Sequence, residues 1–444
     1  MWSAGHAAYV VGGGPRDVLA GRTPSPSWDL ATSALPEQTS ARLADAVYEN
    51  RFGTVVVRRD GVEHEITTFR SDHDYADFRR PHRVEFGDSI EADLDRRDFT
   101  MNALAWGAEP GGTPRLLDRH GGRADVAAGV IRAVGDPRAR FEEDALRILR
   151  AIRFATTLEW AIEPATLAAI RQTAPLVAQL SGERIAAEVG RILAADRPSI
   201  GLRLLEETGA LAAISSELAR QRGVGQNKLP GEDLWDHTIR TVDAAANRPE
   251  VRWAALLHDV GKPSTAADGH FYRHEAVGAD LARDLLDGLH VPRATTERVA
   301  HLVRQHMFRY ETNWSDSAIR RFVGKVGPAS IEDLFALREA DNEGSGVPRD
   351  ADGLPELRER VAAELAAGPF LDRTDLAIDG SDLMTELGVA EGPEIGRILG
   401  ALFERVLDEP PLNDRDRLLA LAREIAAGSA PPSSSPPASA DPRE

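Results

Sequence analysis

Asp29 lies in the stretch TPSPSWDLAT, residues 23–32, with Ser27 two positions before it. WDLAT reads as a short strand, and residues two apart in a strand face the same side. An Asp-x-Asp pair in that setting presents two carboxylates to one point, as a Mg2+ carrying a nucleoside triphosphate requires. Here the first position is a neutral hydroxyl, a poor substitute for an anionic ligand. Glu65, on a later strand, is the natural source of another carboxylate. Just upstream, VVGGGPRD sets three glycines between a strand and a helix. Backbone N–H groups there can approach phosphate oxygens closely, and Arg16 adds a charge-assisted contact.

A third feature is an arginine-bearing helix. Counted from Asp144 at about 100° per residue, Arg147, Arg150 and Arg153 fall near 300°, 240° and 180°. Ala145, Ile148, Leu149 and Ile152 fall between about 40° and 140°, a coherent buried stripe. The arginines therefore spiral over the opposite face, with one carboxylate near the start of the row.

In order along the chain, GGGPRDVLAGR…SWDLAT, FGTVVV, EITTFR, RRDFTMNALA, DPRARFEEDALRILRAIRF and GERIAAE resemble the class II tRNA nucleotidyltransferase and bacterial poly(A) polymerase family. The resemblance runs from residue 9 to about residue 193. It implies an α+β fold: a small nucleotidyltransferase palm with a mixed sheet, then all-α neck, HD-type and tail domains. It also implies an activity, addition of C, C and A to tRNA 3′ ends from CTP and ATP with Mg2+ in the palm. Carried over by position, Gly13 and Arg16 correspond to triphosphate contacts. Asp29 corresponds to the catalytic metal ligand, with Glu65 beside it. Arg97 corresponds to a nucleotide contact, and Asp144 and Arg147 resemble the pair that reads the incoming base. Arg150 and Arg153 correspond to further nucleotide contacts. An Asp beside an Arg offers acceptors and donors together, and a site built on hydrogen bonds rejects a wrong partner because buried groups are then left unpaired.

Two positions depart from the family pattern. Pro15 stands where Val is usual, a change of turn rigidity. Ser27 replaces the first Asp of the metal pair, which weakens Mg2+ and misplaces the attacking 3′-hydroxyl. Three outcomes stay open: Asp29 and Glu65 suffice with a water bridged by Ser27, the lobe is slow, or it is a degenerate copy. Residues 70–88, RSDHDYADFRRPHRVEFGD, resemble the loop that full CCA-adding members have and CC-only relatives lack.

Further on, LWDHTIRTV…AALLHDVGKP…FYRHEAVGA…HLVRQH…LREAD resembles the HD-type metal-dependent phosphohydrolase domain. That resemblance implies His237, His258, Asp259 and Asp341 as ligands, with His274 and His306 available to a second ion. Mixed imidazole and carboxylate ligands suit Mn2+, Fe2+, Ni2+ or Mg2+ better than a structural zinc. Such a centre would hydrolyse phosphoesters or cyclic phosphates.

The elements that must position these residues are legible. AAYVVGG is a short strand, PRDVLAGR starts a helix, and RFGTVVVRRDGVEHEITTFR alternates around Asp60-Gly61, a hairpin signal. From about Phe141 the pattern is helical almost throughout. GVGQNKLPGEDLWDH reads as a linker and NEGSGVPRDADGLPE as another break. The expected domains are a palm over 1–125, a helical neck over 126–225, an HD-type domain over 226–345 and a C-terminal helical region over 346–426. A Pro/Ser-rich tail, 427–444, is expected to be disordered. The first strand begins about seven residues in, leaving no sequence for a helix ahead of it.

Hydrophobic content of 42% and charged content of 28% are those of a globular protein. No apolar run reaches the roughly 18 residues of a membrane span. With zero cysteines, disulfides and thiolate metal sites are excluded, and a cytoplasmic location is expected. A formal charge of −18 argues against broad charge-driven nucleic-acid binding but leaves room for a local basic groove. Arginines cluster at Arg79, Arg80 and Arg83, at Arg96 and Arg97, and over 132–153. The expected partners are tRNA, CTP and ATP, with no membrane; the sequence carries no signal for an oligomeric state. Two other readings are a poly(A) polymerase using ATP alone, and an HD phosphohydrolase whose palm is an RNA-binding module.

Overall fold

The computed structural model describes residues 1–43, 45–48, 53–75, 81–87, 89–226, 228–367 and 373–427. The tail expectation, from residue 428 on, and Arg79 and Arg80 lie outside the described residues. The chain divides into two compact units, one of Met1–Arg304 with Ala340–Val347, the other of Gln305–Glu339 with the chain from Pro348.

The first unit opens with a seven-stranded mixed sheet. Side by side lie β3 (Ala46–Tyr48), β4 (Thr54–Arg59), β5 (Val62–Thr68), β2 (Asp29–Thr32), β1 (Ala8–Val11), β8 (Leu104–Ala108) and β9 (Arg115–Asp118). β2 and β5 run parallel, while the other neighbours are antiparallel. Asp60 and Gly61 both take positive φ, 50° and 78°, which is the twist a two-residue hairpin needs between β4 and β5. One face carries Tyr9, Val11, Ala31 and Ala105, buried with Phe69, Ile90 and Leu94. On the other face Val55, Val57 and Ile66 form a smaller core. Beyond it, Val10, Pro15, Val18, Leu19, Trp28, Trp106 and Leu116 line an apolar hollow of about 450 Å3.

Of residues 70–88, expected as a loop, 76–80 and 88 lie outside the described residues, and the others include two strands, β6 (Arg70–Tyr75) and β7 (Pro81–Phe86), paired antiparallel. The reason is cross-strand pairing from Arg70↔Phe86 through Tyr75↔Pro81, which a polar segment can make as readily as an apolar one.

Helices α1 (Gly13–Leu19), α2 (Pro36–Ser40), α3 (Ile90–Asp95) and α4 (Gly122–Ala128) accompany the sheet, followed by α5 (Pro137–Glu143), α6 (Leu146–Leu158), α7 (Pro164–Thr173) and α8 (Gly182–Leu193). The expected stripe of Ala145, Ile148, Leu149 and Ile152 is fully buried. The helix does not include Asp144, however. That residue is extended, with φ −148° and ψ 105°, and its Oδ1 accepts from the Leu146 N–H at 3.0 Å. A side-chain acceptor satisfying an otherwise orphaned donor separates α5 from α6. The rotation counted from Asp144 therefore does not apply to it, and Arg147 is buried rather than on an exposed face.

Beyond α8 the rest of this unit is helical apart from one short antiparallel pair, Ala266–Ala267 with His270–Phe271. Leu234–Ala244 packs with Pro249–Leu257, and Gly344, at the end of Ile331–Gly344, closely approaches Thr241 of the first of these helices; His274–Gly288 follows in the same unit. The stretch expected as a linker, 223–237, closes through a Gly225↔Asp233 bridge and enters its helix at Leu234. The second unit has its own core of Leu383, Ile398, Leu402, Val406 and Leu418. Among the described residues, no helix is long and apolar enough to cross a membrane.

Candidate functional site

The palm site is built at the junction of β1 and α1. Gly12 sits there at φ 74°, a conformation that favours glycine, and a Cβ on it would lie 3.1 Å from Asp29 Oδ2 and 3.5 Å from Arg97 Nη1. The glycine turn thus lets backbone, carboxylate and guanidinium meet. Gly13 and Gly14, expected within the turn, already form the first turn of α1. A Cβ on Gly13 would come within 3.3 Å of Arg16 Nη2, and one on Gly14 within 2.7 Å of the Trp28 ring.

Asp29 and Glu65 are register partners on the parallel strands β2 and β5, so both side chains leave the same face. Although Asp29 is exposed as a residue, loss of solvent around its carboxyl raises the pKa, with Arg97 and Arg150 acting against the rise. A carboxylate so placed gains from an added cation. Two oxygen-donor residues on one face fit a hard ion such as Mg2+, which keeps further positions for water and phosphate. Ser27 does not join them. It precedes β2, and its hydroxyl donates to the Glu63 carbonyl at 2.5 Å.

The arginines form a lattice in which each has a fixed acceptor. Arg16 Nη1 donates to Asn102 Oδ1 at 2.9 Å. Asn102 Nδ2 donates to Asp98 Oδ1 at 3.3 Å, and Asp98 Oδ2 accepts from Arg150 Nε at 2.7 Å. Burial alone would raise the Asp98 pKa, but Arg150, Asn102 and Arg147 bring it below the usual carboxylate range. Arg97 Nη2 donates to Asp93 Oδ2 at 3.1 Å, and its Nε is buried with no hydrogen-bond partner. Asp93 is likewise held low, against burial, by Arg96 and Arg97. Arg153 Nε donates to Glu188 Oε2 at 2.5 Å. The ring of Phe154 lies 5.3, 5.4 and 3.9 Å from the guanidinium carbons of Arg16, Arg150 and Arg153. An unpartnered donor beside a converging set of guanidiniums is the chemistry of an anion site.

Asp144 and Arg147 face separate partners. Both Asp144 oxygens accept from Arg184 Nη2, at 3.0 and 2.8 Å. Arg147 donates to Glu143 at 2.6 Å and to the carbonyls of Arg140 and Arg96 at 3.0 and 3.1 Å. Asn102, Asp98, Glu143, Phe154, Arg184 and Glu188 all lie inside the motifs read from the sequence, yet were not singled out; a requirement that each buried arginine have an acceptor would have found the acidic ones.

A second centre lies among the helices of the same unit. Gly344 approaches helix Leu234–Ala244 so closely that a Cβ would lie 2.2 Å from Thr241 Oγ1, which brings Asp341 beside His237. Gly261 plays the same part, its Cβ position 2.3 Å from the His274 carbonyl. His237 Nε2 lies 3.1 Å from His258 Nε2, 3.2 Å from Asp341 Oδ1 and 3.5 Å from Asp259 Oδ2; His258 Nε2 lies 3.1 Å from Asp259 Oδ2. Atoms about 2.1 Å from one ion would be about 3.0 Å apart at right angles and about 3.4 Å apart in a tetrahedron. The set fits. His258 Nδ1 donates to the Ala255 carbonyl at 2.8 Å, which leaves the Nε2 lone pair directed inward. His274 Nδ1 is tied in the same way to Phe271, with Nε2 3.4 Å from Asp259 Oδ1. His306 belongs to the second unit.

Burial opposes ionisation here, but His258 and Lys262 hold Asp259, and His237 and Lys228 hold Asp341, well below the carboxylate range. Burial lowers His258, whereas hydrogen bonds to Asp259 and Asp341 overcome burial and raise His237. Lys228 and Lys262 were not foreseen as parts of the centre.

Comparison with known proteins bears on both centres. Residues 8–132 match the family described as the Poly A polymerase head domain, 160–221 that described as the probable RNA and SrmB-binding site of polymerase A, and 210–344 the HD domain. The chain is 33% identical to a CCA-adding enzyme of Geobacillus stearothermophilus, over 94% of this chain and 92% of that one. It is 32% identical to a CCA-adding enzyme of Enterococcus faecalis, over 94% and 92%. The crystal structure of the Bacillus stearothermophilus CCA-adding enzyme in complex with CTP superposes with a TM-score of 0.71 at 30% identity, covering 96% of this chain and 95% of that one. A Thermotoga maritima CCA-adding enzyme complexed with tRNA shares the fold, with a TM-score of 0.56 at 19% identity, over 95% and 92%.

Proposed function

The chain belongs to the CCA-adding enzyme family, a nucleotidyltransferase family, and from that premise we infer which of its residues carry the addition of C, C and A to tRNA 3′ ends from CTP and ATP. The observation that carries the reading is the convergence of Asp29 with the Arg16, Arg97, Arg150 and Arg153 lattice at the β1–α1 junction.

Asp29 and Glu65 would hold Mg2+, which when bound supplies charge neutralisation at the triphosphate. Arg16, Arg97, Arg150 and Arg153 bind the nucleotide's phosphates and sugar through donors that their own acceptors leave over. Gly12 and Gly13 admit the triphosphate close to the backbone. The tRNA 3′-hydroxyl oxygen forms a bond to the α-phosphorus, the bond to the β-phosphate oxygen breaks, and pyrophosphate leaves. Asp98, Glu188 and Asn102 fix the guanidiniums before the nucleotide arrives, so that little reorganisation is needed. Asp144, oriented by Arg184, and Arg147, oriented by Glu143, read the Watson–Crick edge of the incoming base. Ser27 leaves the palm with two carboxylates rather than three side-chain ligands. Catalysis through Asp29 and Glu65 is the reading favoured here, because the surrounding arginines are intact. A tRNA substrate implies a cytoplasmic enzyme.

His237, His258, Asp259 and Asp341 would hold a second divalent ion, of the Mn2+, Fe2+, Ni2+ or Mg2+ class, suited to phosphoester hydrolysis. The test of the main reading is incubation of a tRNA lacking its CCA end with CTP alone, ATP alone and both. The expected result is two C additions with CTP alone and completion with both. A chain that leaves CTP unused refutes it.

A further inference from the structure

The histidine–aspartate centre already contains two cations. Lys262 Nζ donates to Asp259 Oδ2 at 2.6 Å, and Lys228 Nζ donates to Asp341 Oδ1 at 3.1 Å. The two ammoniums already balance the two carboxylates, before any charge on the imidazoles is counted. A divalent ion added to this set would leave two positive charges in a site shielded from water, which is costly unless one cation departs.

The two lysines are not equivalent. Lys262 is buried, follows Asp259 by three residues, and sits behind the tightly packed Gly261. Lys228 comes from the stretch between Gly225 and Gly231, outside any helix, and its side chain is 27% exposed, so it has a route to solvent. It also stands 3.0 Å from His237 Nε2. That nitrogen has one lone pair, and an ion seated about 2.1 Å from it would fall against the ammonium. Metal and ammonium compete for the same place.

We propose that Lys228 is a displaceable internal cation standing where the ion would sit, so that a divalent metal enters this centre as the ammonium leaves. The proposal rests on the reading of His237, His258, Asp259 and Asp341 as metal ligands. Displacement exchanges one positive charge for two, and Lys262 stays to balance Asp259.

The test is a Co2+ titration of the full chain followed by visible absorption, with His258→Ala as the blank for ions held in the palm. Lys228→Met is expected to bind Co2+ at least about tenfold more tightly than the wild type, because a positive charge within a few ångströms of the ion has been removed. If Lys228→Met does not fold, Lys228→Gln provides the same comparison. Equal affinity in wild type and variant overturns the role of Lys228 and leaves the metal reading standing. No signal above the blank in either protein overturns both. Amine labelling of the wild type, read at Lys228 by mass spectrometry, is expected to rise when Co2+ is bound, and unchanged labelling at saturation overturns displacement.

Discussion

Replacing Phe154 with leucine asks whether the ring orders the three guanidiniums or merely fills space. The ring is buried, with the guanidinium carbons of Arg16, Arg150 and Arg153 at 5.3, 5.4 and 3.9 Å and Phe99 edge-on at 5.9 Å. A cation over an aromatic face contributes roughly 0.5–1 kcal/mol when partly exposed, so three together give about 1.5–3 kcal/mol, or about 10- to 150-fold in kcat/KM. Asp98, Asn102 and Glu188 still hold the same arginines after the change, which places the expected loss near the lower end, about tenfold. Loss of the Phe99 contact adds about 1 kcal/mol of destabilisation that does not depend on nucleotide. The assay is steady-state incorporation of CTP into tRNA lacking CCA and of ATP into tRNA ending in CC, alongside thermal melting. Phe154→Leu is expected to raise KM for both nucleotides alike, while Phe154→Tyr, which keeps the aromatic face, stays within about threefold of wild type. A lowered Tm with kcat/KM unchanged for both nucleotides would show that the ring only packs.

Other substitutions separate the remaining parts. Asp29→Ala is expected to bring incorporation to assay background while His258→Ala leaves it intact; the reverse pattern would assign activity to the helical centre. Arg184→Ala removes the guanidinium that holds both Asp144 oxygens and leaves only the Leu146 N–H on Oδ1, so discrimination against UTP in a competition assay is expected to fall by about tenfold, the scale of one lost hydrogen-bonded pairing. In Ser27→Asp the new acceptor cannot repeat the bond to the Glu63 carbonyl and turns toward Asp29; half-maximal activity should then need less Mg2+, and an unchanged Mg2+ titration would rule that out. Asp93 and Asp98 have folded-state pKa values below their unfolded values, so their stabilisation is complete above about pH 4 and is lost as pH falls through the folded values. Urea midpoints should therefore decline below about pH 4 in the wild type and decline less in Asp98→Asn.

The palm strands were legible because alternation and the Asp60-Gly61 turn are local signals, and the buried stripe of α6 was legible because Ile148, Leu149 and Ile152 repeat at helical spacing. What escaped depends on distant partners. Every residue from Glu142 to Leu149 is compatible with helix by propensity, and the break at Asp144 comes from its side chain capping Leu146 while Arg184, 40 positions on, holds both oxygens. Ser27 stands just ahead of β2, and local periodicity could not show that its hydroxyl is committed to a carbonyl 36 positions away. Lys228 lies in a polar stretch that reads as a connector, and its carboxylate partner is 113 positions away. Periodicity reports which face is buried, not which acceptor a charged group finds there.

That distinction also resolves how a chain of net charge −18 can hold a triphosphate. The site is not a positive surface. Arg97 is paired with Asp93, Arg150 with Asp98, Arg153 with Glu188 and Arg147 with Glu143, so most of the lattice is balanced residue by residue. A guanidinium has five N–H donors, and one carboxylate occupies at most two or three of them. The acid therefore fixes the plane of the fork and leaves other donors over, as at Arg97, whose buried Nε has no hydrogen-bond partner. Acidic residues here sharpen anion binding instead of opposing it, because an arginine already oriented loses less freedom when the nucleotide arrives. Long-range attraction is given up in exchange, which suits a ligand that is small, abundant and bound by geometry. For tRNA the same arithmetic implies contacts limited to local basic surface, and hence a shallow dependence of tRNA affinity on salt compared with a protein that neutralises many phosphates at once.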